Sequence, residues 1–149
     1  MPDYSRPYFS ASPPTAPADV LGSSGAPVTL GATIVPANIS TAVDVDGHKY
    51  VVFFVHLLAL GGATKVMAEV FFSPTGGAAP TEWSSVKTED VTAGVAVQSK
   101  YEIEQGVGGP GLVIVAPIPT RGVQYYSIGL RSDGTPDVYV QYRGSGGPI

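Results

Sequence analysis

The sequence predicts an all-β fold: an antiparallel β-sandwich, with a jelly roll among the arrangements it allows, preceded by an extended N-terminal arm. Three observations carry the expectation. Between residues 28 and 143, short apolar runs are punctuated by turn residues roughly every 8–14 positions, and none shows a helical period. The 149 residues include 19 Gly and 14 Pro, which end strands and build turns, beside a hydrophobic fraction of 44%. Charged residues make up 13%, about half of the roughly 25% usual in soluble domains, so part of the surface is expected to be covered by something other than water.

A chain of this length is most simply one domain, able to bury roughly 70% of its unfolded surface. Its mean hydropathy of +0.19 argues against disorder despite the Gly and Pro content. The formal net charge is −4, and the eight Lys and Arg are scattered. No basic cluster follows a phosphate backbone, so nucleic acid is not an expected partner. The lack of Cys removes disulfides, a thiol nucleophile and thiolate metal sites, and fits a reducing compartment. The N-terminus has no basic-then-apolar signal pattern. The most apolar run, YVVFFVHLLAL (50–60), is shorter than the about 20 residues of a membrane helix, so no membrane is expected.

VTLGATIV (28–35) is the first candidate strand, closed by Pro36. STAVDV (40–45) and KYVVFFVHLLAL (49–60) flank Asp46-Gly47, a dipeptide suited to the positive φ angles of a two-residue hairpin. Gly61-Gly62 turns the chain into TKVMAEVFFS (64–73), with Val66, Ala68, Val70 and Phe72 on one face. In VAVQSKYEIE (95–104), Val95, Val97, Tyr101 and Ile103 point one way; Gln98, Lys100, Glu102 and Glu104 point to water. LVIVAPIP (112–119) is apolar on both faces until its prolines. A last hairpin pairs VQYYSIGLR (123–131) with PDVYVQYR (136–143) around SDGT (132–135). It sets Tyr126, Ile128 and Leu130 in one inward row and Val138, Val140 and Tyr142 in the other. Phe53, Val55, Val70, Phe72, Ile128, Leu130 and Val140 are the expected core.

Residues 1–27 have another texture. RPYFSASPPTAPADVLGSSGAP (6–27) is rich in Pro, Ser and Ala, has no period, and buries too little apolar surface to offset its ordering entropy. Residues 1–27 are expected to form an arm outside the 28–143 sandwich, ordered by another chain, with Tyr4, Tyr8 and Phe9 as anchors in a partner's surface. Folding back onto the same domain is the alternative. GSGGPI (144–149) has no structural signal and is expected to be a flexible tail.

Candidate chemistry is sparse. The two histidines, His48 and His56, would stand about 26 Å apart at about 3.3 Å per residue, too far to share a metal. His56, inside an apolar run, reads as a core or interface histidine, and His48, after a turn, as exposed. DVDG (44–47) echoes the start of a calcium loop but lacks the next oxygen ligand and the distal glutamate. Glu102 and Glu104, about 7 Å apart on one strand, read as a solvated face rather than an acid–base pair. The Gly-rich stretches at 61–62, 76–77 and 106–111 lack the Lys-Ser/Thr of a phosphate loop, and no Ser stands in a nucleophile elbow. No catalytic residue, cofactor or metal is expected, and no enzyme. Tyr125 and Tyr139 point outward from the last two strands, either as a cross-strand pair or as a sugar-stacking platform.

Within residues 40–143, GHKYVVFFVHL (47–57) leads into a strand ending in Ser, MAEVFFS (67–73), and a Gly-rich loop then reaches Trp83 in PTGGAAPTEW (74–83). A closing hairpin is expected after Arg121 in RGVQYYSIGLRSDGTPDVYVQYR (121–143). This series resembles the small β-sandwich virion proteins of tailed bacteriophages, the capsid decoration or cement proteins. The resemblance implies a structural role on the capsid exterior, with the major capsid protein and neighbouring copies of the chain as partners. It also implies a homo-oligomer in the assembly, synthesis in the host cytoplasm, and no catalytic residues. A head–tail connector or tail component, and a carbohydrate-binding module, are the alternative readings. An arm of 27 residues could span up to about 90 Å across a neighbour. An acidic chain suits an outer shell better than a surface facing packaged DNA.

Overall fold

Alternating apolar residues give each strand one face to bury, and two antiparallel sheets closed on a shared core satisfy them all. The computed structural model describes the backbone at residues 16–45, 47–73, 84–85, 87–92, 95–100, 102–120 and 125–146. The first sheet holds β1 (Ala18–Leu21), β12 (Asp137–Ser145), β4 (Tyr50–Ala59) and β10 (Gly111–Pro119) in that order, and β2 (Val28–Thr29) also pairs with β12. The second holds β3 (Val43–Asp44), β11 (Tyr125–Ser132), β5 (Lys65–Ser73) and β6 (Ser84–Ser85), with β9 (Glu102–Gly106) also on β5. β7 (Lys87–Thr92) and β8 (Val95–Lys100) form a separate two-stranded ribbon. One turn of 3-10 helix spans Pro36–Asn38.

Two edge strands are interrupted. β1 and β2 run the same way along β12, separated by an excursion that closes with Ser23 N donating to Ala26 O at 3.1 Å. β6 and β9 run the same way along β5, with the β7–β8 ribbon between them. Counting each interrupted edge as one strand, eight strands in chain order make sheets of order 1-8-3-6 and 2-7-4-5.

The core is one cluster fed by both sheets. Val51, Phe53, Val55 and Leu57 of β4 face Val66, Ala68 and Val70 of β5, and Ile128, Leu130 and Val140 fill the centre, all as the alternation predicts. Phe72 is only half-buried at its margin. Tyr126 is 2% exposed, and its hydroxyl donates to Thr120 O at 2.6 Å, so a large aromatic enters the core without an orphaned polar atom. Ser40 and Ser127, both buried, satisfy one another: Ser127 Oγ donates to Ser40 O at 2.7 Å, and Ser40 Oγ accepts from Ile128 N at 3.0 Å.

Several sequence expectations are corrected. The stretches around Asp46-Gly47 and SDGT (132–135) are not hairpins, because β3 and β4 lie in opposite sheets, as do β11 and β12. Each connection arches over the core, and a turn signal between two amphipathic runs is the same for an arch as for a hairpin. VAVQSKYEIE is two strands rather than one: β8 pairs with β7, and β9 pairs with β5. The sandwich begins at Ala18 rather than Val28, since β1 pairs with β12 and Leu21 enters the core. The proposed 1–27 arm therefore loses residues 18–27 to the domain, and Tyr4, Tyr8, Phe9 and Trp83 lie outside the described residues. Gly144 and Ser145 belong to β12, not to a tail. Its backbone passes under the His48 ring, where a Cβ on Gly144 would come within 2.6 Å, so His48 is half-buried rather than exposed.

The β4–β5 and β11–β12 connections clasp each other. Thr135 N donates to Gly61 O at 3.0 Å, and Gly61 has φ +54° with Thr135 O where a Cβ would go. Asp133 accepts from Thr64 N at 2.9 Å, from Lys65 N at 3.2 Å and from the Thr64 hydroxyl. The Thr64 hydroxyl, then the Thr64 and Lys65 amides, hold the Asp133 carboxyl down to about 2. In an unfolded chain it titrates at about 3.9. A depressed folded pKa means its contribution is complete above about pH 4 and disappears as the pH falls through about 2.

Two outcomes follow. Phe53→Ala, at a position with 0% exposure, is expected to destabilise by about 3–5 kcal/mol in denaturant titration, and Phe72→Ala by less. Asp133→Asn is expected to be less stable than wild type by a margin that is constant above about pH 4 and shrinks towards pH 2. A margin independent of pH in urea titrations across that window would show that the carboxylate does not fasten the clasp.

Candidate interaction face

With Val51, Phe53, Val55 and Leu57 turned inward, alternation turns Tyr50, Val52, Phe54, His56 and Leu58 of β4 outward. Register with the flanking strands places these in cross-strand rows on the outer face of the first sheet. Leu112, His56 and Tyr139 make one row; Val115, Phe54, Gln141 and Asp19 the next; Pro117, Val52 and Arg143 the third. Pro119, Tyr50 and Ser145 close the series. Among the described residues, four of the five exposed large hydrophobics belong to this face: Leu112 at 52%, Val115 at 51%, Tyr50 at 44% and Leu58 at 38%. A sheet of this kind in an isolated sandwich carries polar residues outside, so an apolar outer face is the informative departure.

A short polar string crosses this face. The Asp19 carboxylate accepts from Gln141 Nε2 at 3.1 Å, which leaves Gln141 Oε1 to accept from His56 Nε2 at 3.1 Å. The amide orientation thus fixes the proton of the ring on Nε2. The His56 ring stacks on Tyr139 with centroids 4.4 Å apart and planes 6° apart. Arg143 sits over Phe54, with Cζ 5.8 Å from the ring centre, and its Nε is buried with no hydrogen-bond partner among the described residues. Beyond the face, β10 pairs only with β4 among the described residues, and Pro117 and Pro119 remove two amide donors from that edge strand. Prolines of this kind blunt strand-to-strand addition, so the side chains rather than the edge are what this part of the surface offers.

The outer face of the second sheet is different. Gly129 lets residues 31–39 lie against it: a Cβ there would sit 2.8 Å from Ile34 Cγ2 and 2.9 Å from Phe71. Beside this crossing is a cleft of about 630 Å3, whose walls include Thr33, Phe71, Glu69, Glu102 and Arg131. Glu69 and Glu102 are direct cross-strand partners, while Glu104 pairs with Lys65 at 3.2 Å. The carboxylates brought together are thus 69 and 102 rather than 102 and 104. The near neighbour of Glu102 comes from another strand, which spacing along one strand could not reveal.

The predicted site residues are dispersed. Tyr125 lies in the second sheet and Tyr139 in the first, so they form neither a cross-strand pair nor a shared platform; the partner of Tyr139 is His56. His56 is an outer-face histidine. His48 places Nδ1 3.2 Å from Gly146 O. Among the described residues, no three His, Cys, Asp or Glu gather as a metal site. The anchors Tyr4, Tyr8 and Phe9 are outside the described residues. The sequence carries no signal for Arg143, and for Val115 only the unbroken apolar character of 112–119 beside 50–58. Compared with family models and with curated proteins, the chain matches none.

Because Leu112 and Val115 contribute exposed surface rather than core, Leu112→Lys and Val115→Lys are expected to change folding stability by no more than about 0.5 kcal/mol each. The same changes should clearly reduce retention on a hydrophobic-interaction matrix. Unfolding of either variant under native conditions would mean that these side chains serve the fold instead.

Proposed function

We propose that the chain is a structural virion protein that decorates the outside of a bacteriophage capsid, attaching through the outer face of the first sheet. The observation that carries the reading is that face: two central strands and an edge strand turn Val52, Phe54, Val115 and Leu112 away from the core, with Arg143 among them. Apolar surface collected on one side of a sheet is what a partner covers. The strand order 1-8-3-6 facing 2-7-4-5 supports the reading by analogy, since we read it as a jelly-roll arrangement, an architecture of viral capsid and lectin domains. On this reading the partners are the major capsid protein and neighbouring copies of the chain. Residues 1–15, with Tyr4, Tyr8 and Phe9 as the anchors, precede the edge strand β1 in the sequence and on this reading add contacts to a neighbour. The role is assembly and involves no catalytic residue.

Incubating undecorated particles with labelled protein tests this. Wild type is expected to bind to saturation, the Leu112→Lys/Val115→Lys double variant to lose occupancy by more than about tenfold, and a chain lacking residues 1–15 to bind more weakly while remaining folded. Truncation stops at residue 15 because β1 belongs to the sandwich. Wild type that leaves the particles bare would end the capsid reading, and equal occupancy by the double variant would remove this face from it.

A carbohydrate-binding module is the second reading, and the cleft on the second sheet favours it. Glu102 and Arg131 offer acceptors and donors for hydroxyls, and Phe71, in the cleft wall, contributes apolar surface for a sugar. Glycan binding that Phe71→Ala abolishes would support it.

A further inference from the structure

We propose that Arg143 is the anchor of the outer face of the first sheet, and that the protein segment docking there presents a carboxylate framed by apolar side chains. The inference rests on reading this face as an attachment surface, and it names the chemistry of the partner. Arg143 lies mid-face, in the row of Val52 and Pro117 and over the ring of Phe54. Its Nε is buried and has no acceptor among the described residues. The one carboxylate in the cross-strand rows, Asp19, is committed elsewhere: it accepts from Gln141 Nε2 at 3.1 Å. The buried Nε is out of a partner's reach, so the terminal Nη1 and Nη2 groups, which have no acceptor among the described residues, are the donors that a docking segment meets among apolar side chains.

The guanidinium fork selects the acceptor. Its parallel N–H groups match the two oxygens of a carboxylate, and the full charge favours an anion over a neutral carbonyl. Arg143 is the one guanidinium or ammonium group in the four cross-strand rows, so a single negative charge is matched. A doubly charged phosphate would find no second cation, and would have to shed its water against Val52, Phe54 and Val115. The half-exposed Val115 and Leu112, both on β10 and so to one side of Arg143, favour apolar neighbours on that side of the partner's Asp or Glu. An arginine surrounded by apolar and aromatic side chains is the usual composition of an interface hot spot.

The test uses phenylacetate as the carboxylate probe and phenylacetamide as its uncharged twin, followed by NMR on the full chain. Phenylacetate is expected to shift the Arg143 guanidinium signals and the Phe54 and Val52 side-chain signals beside it saturably, with phenylacetamide about tenfold weaker. Arg143→Met, which keeps the apolar stem, should abolish the preference for the acid. Equal responses to acid and amide in wild type, or a preference that survives in Arg143→Met, overturns the proposal. The wild-type comparison alone decides it should the variant not fold. No particle enters this titration, so wild type that fails to attach to capsids would remove the capsid reading while the acid preference still decides the role of Arg143.

Discussion

The mutual clasp of the β4–β5 and β11–β12 connections is the constraint on which the rest of the structure depends. Each connection joins a strand of the first sheet to one of the second, and β4 pairs with β12 while β5 pairs with β11. One crossing, with Asp133 on the Thr64 and Lys65 amides and Thr135 on Gly61, therefore fixes the register of both central pairs together. A slip of one residue would turn Val55 and Val140 out and Phe54 and Gln141 in. Gly134 permits the approach, since a Cβ there would lie 2.4 Å from Ala63 N. The charge on Asp133 matters because three donors converge on it at a position the solvent reaches. Its worth is thus the fit of the turn rather than burial.

With register fixed, the two outer faces acquire opposite characters. The second sheet is overlaid by residues 31–39, admitted by the bare backbone of Gly129. The first has no such cover among the described residues, although it carries Phe54, Val52, Val115 and Leu112. Its polar string from Asp19 through Gln141 to His56, and the stack of His56 on Tyr139, order side chains that would otherwise be free. Ordered side chains would lose less entropy on being covered, which supports the attachment proposed for this face.

Much of the fold was legible in the sequence because burial of one strand face imposes a period of two, and that period needs no knowledge of the partner strand. It marked Phe53, Val55, Val70, Ile128, Leu130 and Val140 as core, and antiparallel sheets as the class. Length and composition likewise bounded the chain as one sandwich with few chemical groups to spare. The limits at Ala18 and Ser145 were not legible, because β1 and the end of β12 are held by hydrogen bonds to distant strands rather than by their own patterns.

Tertiary structure alone decided which strands are neighbours, and with that everything concerning the site. Alternation states that a residue faces out, but not what stands beside it. The stack of His56 on Tyr139, the opposition of Glu69 and Glu102, and the seat of Arg143 over Phe54 all join residues far apart in the chain. The same turn residues serve an arch and a hairpin, so local signals could not send β3 and β4, or β11 and β12, to opposite sheets. Sequence determined the material, a set of half-apolar strands. The registers between distant strands, set by packing in one common core, decided which apolar side chains were left outside and gathered them on a single face.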